Sequence, residues 1–286
     1  MKLLYEQKQL PIFQNRMYET EAAAKACPKG DMQLVEDQQT GLVFNAAFQS
    51  GLMEYDAQYQ NEQAFSPLFQ EHLESVSQII DRCIGREAIV EVGCGKGAFL
   101  EMLAGKGFSV TGFDPTYEGN NPKVLKRYFQ KGVGITANGL VLRHVLEHIQ
   151  DPYNFLLELL VANSGSGKIY IEVPCFDWIC EQRAWFDIFY EHVNYFRISD
   201  FYRMFDSVIE IGRSFGGQYL YVVAELSKLK KPKINPADRV SFPENFTNLI
   251  AQPCKSYSDQ VAIWGGASKG VIFALLKERC FQPITT

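Results

Sequence analysis

The stretch Ile89-Val90-Glu91-Val92-Gly93-Cys94-Gly95-Lys96-Gly97 carries the decisive pattern of this chain. Ala88 to Val92 reads as a short buried strand. The chain then turns on three glycines, and Ala98 to Leu103 reads as a helix that stops near Gly105 and Gly107. Glycine lets a backbone approach a ligand closely, and a helix start offers unpaired N–H groups. A lone G-x-G-x-G is weak evidence, but two carboxylates sharpen it. Glu91 precedes the glycines within the strand end. Asp114 closes the next strand, Phe108 to Phe113, 17 residues beyond Gly97. A carboxylate there can accept hydrogen bonds from both ribose hydroxyls of a nucleoside.

A nicotinamide or flavin site would use G-x-G-x-x-G. Here the third glycine comes one residue early, and an acid beside the turn would repel a pyrophosphate. Glu91 suits a cationic ligand, such as the amino group and sulfonium of S-adenosylmethionine (SAM). The candidate cofactor residues are Glu91, Gly93, Cys94, Gly95, Gly97, Asp114 and Pro115.

Working outward, residues 71–226 alternate strand-like and helix-like segments. Leu73 to Cys83 has a helical apolar pattern. Gly139 to Leu142 and Lys168 to Val173 read as strands, with a helix over Phe155 to Ala162 between them. Such alternation predicts a mainly parallel sheet covered on both faces, an α/β fold. Val208 to Ile211 and Tyr219 to Ala224, separated by glycines, predict an antiparallel pair at one edge. Residues 1–70 mix short apolar runs with turns, including a hairpin around Asp37 to Thr40. Residues 227–286 open on a Lys/Pro linker. Val261 to Trp264, the turn Gly265 to Gly270 and a helix to Glu278 then form one partial strand–turn–helix unit.

Charge and composition exclude some function classes. With 28 basic against 33 acidic residues, the net charge is −5, so no basic face for nucleic acid is expected. No apolar run reaches the roughly 18 residues that span a bilayer. Seven scattered cysteines without a C-x-x-C pair predict reduced thiols and a cytoplasmic home, which makes the sequon Asn245-Phe246-Thr247 irrelevant.

His144-Val145-Leu146-Glu147-His148 matches the H-x-x-E-H pattern of some zinc peptidases. That chemistry needs a long helix, and Asp151-Pro152 interrupts one. Two readings remain open. Arg143 and His144 border the cofactor at a strand's carboxyl end, with His148 facing the substrate, or the histidines are structural. Farther on, Glu191-His192 lies amid aromatic residues, where a histidine can serve as a general base.

With Glu91 to Gly97, Gly112-Phe113-Asp114-Pro115, Arg143 to Ile149, Tyr190 to Phe196, Phe215-Gly216-Gly217 and Trp264 to Gly270 in family order, the chain resembles the sugar C-methyltransferase family. The resemblance implies a class I SAM methyltransferase fold with a seven-stranded, mostly parallel sheet, an N-terminal zinc-binding domain and a C-terminal Rossmann-like domain. It implies SAM as cofactor, S-adenosylhomocysteine as product and a nucleotide-linked sugar as substrate. His192 would remove a proton beside a ketone, Glu191 would orient it, and His148 would stabilise the enolate or position the sugar. Tyr190 is grouped with these as a catalytic candidate. The chain departs from the family in two places. Asp37 to Gly41 stands where a Cys-x-x-Cys-Gly knuckle belongs, so no zinc and no metal site is expected. The first 60 residues keep a covering role, with Tyr55 and Tyr59 near the pocket. The C-terminal domain stops after one unit. Alternatives are O- or N-methylation of a sugar or small molecule, or a non-catalytic binding relative. A monomer or homodimer is expected.

Overall fold

The computed structural model describes residues 1–13, 16–53, 66–251 and 269–281. Near the N-terminus, β1 (Lys2–Pro11) is followed by the short helix α1 (Glu21–Lys25), β2 (Lys29–Glu36) and β3 (Val43–Asn45). The expected hairpin forms between β2 and β3. Asp37 closes its turn, because Oδ1 accepts the N–H groups of Gln39 and Thr40 at 2.8 and 2.7 Å. Strand β1, which pairs antiparallel with β2, is absent from the sequence reading. It is an edge strand exposed over most of its length, so it needs no apolar alternation to mark it.

The helix α2 (Pro67–Cys83) starts six residues before the expected helix at Leu73, with Pro67 in its first turn. Then come β4 (Ile89–Val92), α3 (Ala98–Gly105), β5 (Val110–Phe113), β6 (Val124–Leu125), β7 (Gly139–Arg143), α4 (Pro152–Ala162) and β8 (Lys168–Pro174). Beyond them lie α5 (Phe176–Gln182), β9 (Asn194–Tyr195), α6 (Ile198–Met204), β10 (Val208–Ser214), β11 (Tyr219–Glu225), α7 (Asn248–Ala251) and α8 (Lys269–Phe281).

The central sheet has seven strands in the order β10-β11-β8-β7-β4-β5-β6. The strands from β6 to β8 run parallel. At one edge, β11 lies antiparallel to β8 and β10 antiparallel to β11. This is the predicted class I methyltransferase sheet with its antiparallel edge. Each interior strand packs on both faces, which explains the continuous apolar runs. On β7, Leu140 and Leu142 join one core with Leu156 and Ile171, while Val141 joins the other with Val76, Ile80 and Leu100.

Chain order reverses at β4, whose neighbours are β5 on one side and β7 on the other. In an open parallel sheet, ligands bind outside the carboxyl ends of the strands at that switch point. The glycine turn after β4 opens there.

The N-terminal strands form a second sheet, β1-β2-β3-β9, whose last member comes from residues just after His192. Tyr190 adds a second tie. Its hydroxyl accepts the N–H of Gln49 at 2.9 Å, and its buried ring lies against Gly30, where a Cβ would come within 2.2 Å of Cε2. Helix α8 lies where the sequence predicts a helix running to Glu278. Lys269 Nζ sits 3.4 Å from Asp187 and 4.6 Å from the Phe186 ring centroid. Tyr55, Tyr59 and the expected strand and turn over 261–268 lie outside the described residues.

Candidate functional site

The turn after β4 is held by main-chain bonds. The N–H of Gly93 donates to Phe113 O at 2.8 Å, and that of Gly97 to Cys94 O at 2.9 Å. Gly93 has φ +71, and a Cβ on it would lie 2.6 Å from Cγ2 of Val145. Left-handed backbone and a close neighbour therefore both require glycine. Gly93→Ala is expected to cost about 1–3 kcal/mol of turn stability and to weaken SAM binding correspondingly, readable by calorimetry.

Asp114 ends β5 and is largely buried. Its Oδ2 accepts the N–H of Gly95 at 2.8 Å, and its Oδ1 accepts both N–H and Oγ1–H of Thr116 at 2.8 and 2.7 Å. A carboxylate offers about four acceptor positions. Asp114 thus uses three of them within the protein, one on the glycine turn and two on Thr116, and one position remains. Pro115 follows it, half-buried. Cys94 points inward against Gly112, and burial pushes its thiol up to about 12. It can line the pocket only through its main chain.

Glu91 is buried, and its Oε2 has no hydrogen-bond partner. Burial pushes its carboxyl up to about 8, opposed by nearby Arg143 and helped by Asp114. A buried acid with an orphaned oxygen is matched by a ligand carrying positive charge, so these residues fit SAM. The sign of the pH effect follows. Below about pH 8 the ligand-free carboxyl holds a proton that a cation must displace. SAM affinity should therefore rise with pH, by up to about tenfold per unit, and level off near pH 8. Titrations from about pH 6 to 8 test this, and Glu91→Gln should flatten the profile and lower the plateau.

The charged residues at the end of β7 make buried contacts within the protein. Arg143 turns into the protein, its Nε and Nη2 donating to Oε1 of Glu172 at 3.1 and 2.9 Å, with its guanidinium 4.6 Å from the Phe99 centroid. His144, at φ +53, places Nδ1 3.3 Å from Glu147 Oε1 and Nε2 3.3 Å from Glu172 Oε1. Burial alone would lower its pKa, but Glu147 and Glu172 outweigh burial and raise it to about 9. Tyr170 donates to Glu172 Oε2 at 2.9 Å, and His72 Nε2 of α2 lies 3.1 Å from the same oxygen. Glu172 is fully buried at the centre. His72, Tyr170 and Glu172 escaped the sequence reading. One signal was present: Glu172 interrupts the apolar run Ile169-Tyr170-Ile171-Glu172-Val173.

The H-x-x-E-H residues are not on a long helix. Leu146–His148 is one 3-10 turn, and α4 begins at Pro152, capped by Asp151. Two loops converge here. Val193 N–H donates to Glu147 O at 2.8 Å, and Asn194 Nδ2 donates to Ile149 O at 2.5 Å. His148 and His192 therefore meet edge to face, with ring centroids 5.0 Å apart. His148 Nδ1 donates to the main-chain oxygen of Glu191 at 2.9 Å, since a carbonyl can only accept. Burial, then His148, holds His192 down to about 3, so its ring is neutral. The Glu191 side chain is buried beside it. Sequence reasoning named these residues; the fold brings His148, Glu191 and His192 together at the sheet edge that bears the glycine turn.

Residues 58–208 match the family model described as a methyltransferase domain. C-methyltransferase NovU of Streptomyces niveus is 25% identical over 154 residues, 47% of this chain and 37% of that protein. The chain thus spans little more than a third of the length of that curated relative. Among solved structures, N-methyltransferase NodS of Bradyrhizobium japonicum WM9 is similar at TM-score 0.40 and 15% identity, over 56% of this chain and 97% of that one. Magnesium protoporphyrin IX methyltransferase of Synechocystis PCC 6803, solved with bound SAH, is similar at TM-score 0.42 and 16% identity, over 58% and 89%. No helix among the described residues is long and apolar enough to cross a membrane.

Proposed function

Because this chain belongs to the methyltransferase domain family and its pocket suits SAM, we propose that it methylates a carbon of a ketosugar carried on a nucleotide, with His192 as base. The supporting observation is the His148–His192 pair, held at the same sheet edge as Glu91. When bound, SAM supplies an electrophilic methyl group. The neutral imidazole of His192 takes the proton from the carbon beside the ketone, and the C–H electron pair moves toward the ketone oxygen. Orientation is the other contribution, and alignment of two reactants can supply about 7–11 kcal/mol.

His148 has its Nδ1–H committed to Glu191 O, so Nε2 is the ring atom left for the acceptor. Through that atom it stabilises the enolate or positions the sugar. Glu191 acts as a positioning residue through its carbonyl. Tyr190 acts likewise, by fastening the N-terminal sheet to this loop. Within this reading residues 1–70 cover the acceptor, 71–226 hold SAM, and 227–286 contribute a partial Rossmann-like unit. The protein works in the cytoplasm as a monomer or homodimer.

The test is hydrogen exchange. With S-adenosylhomocysteine in place of SAM, a nucleotide ketosugar in D2O should lose the hydrogen beside its ketone, followed by NMR. His192→Ala should stop the loss. Methyl transfer to oxygen or nitrogen without exchange would replace this reading with the heteroatom one.

A further inference from the structure

The described residues contain one group whose ligand-type atoms all lie within 4.8 Å of one another: Glu147, His148 and His192. We propose that these three side chains form a site for a first-row divalent transition metal. Two imidazoles and one carboxylate, with further positions left for water or an acceptor oxygen, make the ligand set typical of catalytic zinc and of non-haem iron.

The geometry supports this beyond mere clustering. Glu147 is only 1% exposed, and neither carboxylate oxygen has a hydrogen-bond partner. His144 at 3.3 Å offsets the charge at Oε1, and Oε2 keeps its lone pairs for a cation. Nδ1 of His192 is likewise shielded from solvent with no hydrogen-bond partner. The surrounding contacts are those of a metal site's outer shell. A ligating histidine normally donates its other ring N–H to a carbonyl or carboxylate, which turns the remaining lone pair to the metal. His148 does this through Nδ1 to Glu191 O, which leaves Nε2 as its ligand atom. Glu147 Oε1 is backed by His144 at 3.3 Å. The two ligand-bearing loops are tied by Val193 N–H to Glu147 O, so the three groups sit on a pre-set backbone.

The site is not the His144/His148 pair that the sequence pattern suggests. Its third ligand lies more than forty residues along the chain, on the other loop. The proposal goes beyond the methylation reading and does not depend on it. Metal and substrate proton compete for the His192 imidazole, so the metal-loaded form cannot use that ring as base.

The experiment is titration of chelator-stripped full-length protein with Co2+, followed by visible absorption and by metal analysis after dialysis. Binding of about one Co2+ per chain with a ligand-field band is expected, and Zn2+ should displace it. His148→Ala and His192→Ala should each abolish the band. Should either variant misfold, X-ray absorption of the Zn2+-loaded unsubstituted protein decides. Imidazole scattering without sulfur is the expected result. A sulfur shell from the cysteines, or no retained metal, would overturn the site. No acceptor or methyl transfer enters these readouts, so their failure is distinct from failure of the methylation reading.

Discussion

Replacing Arg143 with methionine should destabilise the protein by about 3 kcal/mol, near the lower end of what breaking a buried ion pair costs. The apolar stem keeps its volume against Phe99, so packing changes little. What is lost is the guanidinium that donates twice to a fully buried Glu172. The carboxylate then stays buried, with His144, His72 and Tyr170 still around it. His144, raised to about 9, remains charged at neutral pH, which keeps the loss from being larger. Denaturant titration reads the change, with a thermal midpoint lower by roughly 5 °C. The same exchange at Arg82, whose side chain is half-exposed beside Glu210, should cost under about 1 kcal/mol. Equal losses at the two positions would contradict the network's structural role. SAM affinity near neutral pH should also fall in Arg143→Met, because the guanidinium eases ionisation of Glu91.

His192→Ala should lower methyl transfer by about 10²–10⁴-fold, the usual contribution of a positioned base, while SAM binding stays unchanged. The ring contacts Phe189 and His148, with centroids 4.8 and 5.0 Å away. The SAM turn is built from separate residues, fixed by Asp114 and by main-chain bonds. His192→Gln, which keeps more of the volume, separates loss of the base from collapse of the cavity. If SAM binding disappeared in both variants, His192 would be a structural residue of the cofactor pocket.

The parts of this account legible in the sequence are those set by local rules. The glycines after β4 and the apolar runs of β4, β7 and β8 each carry their own signal, so the sheet and the SAM turn follow from them. The two-residue strand β6 and the exposed edge β1 carry no such signal. Site details set by tertiary contact were equally hidden. Arg143 reads as a cofactor neighbour because it ends a strand, and its guanidinium pairs with Glu172, which only tertiary contact brings beside it. Cys94 sits among the glycines, but its thiol packs on Gly112. Tyr190 stands among the catalytic candidates, and its hydroxyl accepts the N–H of Gln49, a contact that no spacing records. The convergence of Glu147 with His192 depends on two loops being tied together, which no residue spacing records.

The most direct measurement of the central claim is the fate of the hydrogen during one methyl transfer. A nucleotide ketosugar deuterated beside its ketone is incubated with labelled SAM and the unsubstituted protein, and the product is analysed by NMR and mass spectrometry. Carbon methylation through His192 predicts the labelled methyl on that carbon with one deuterium lost. A methyl group on oxygen or nitrogen, with the deuterium retained, would contradict it.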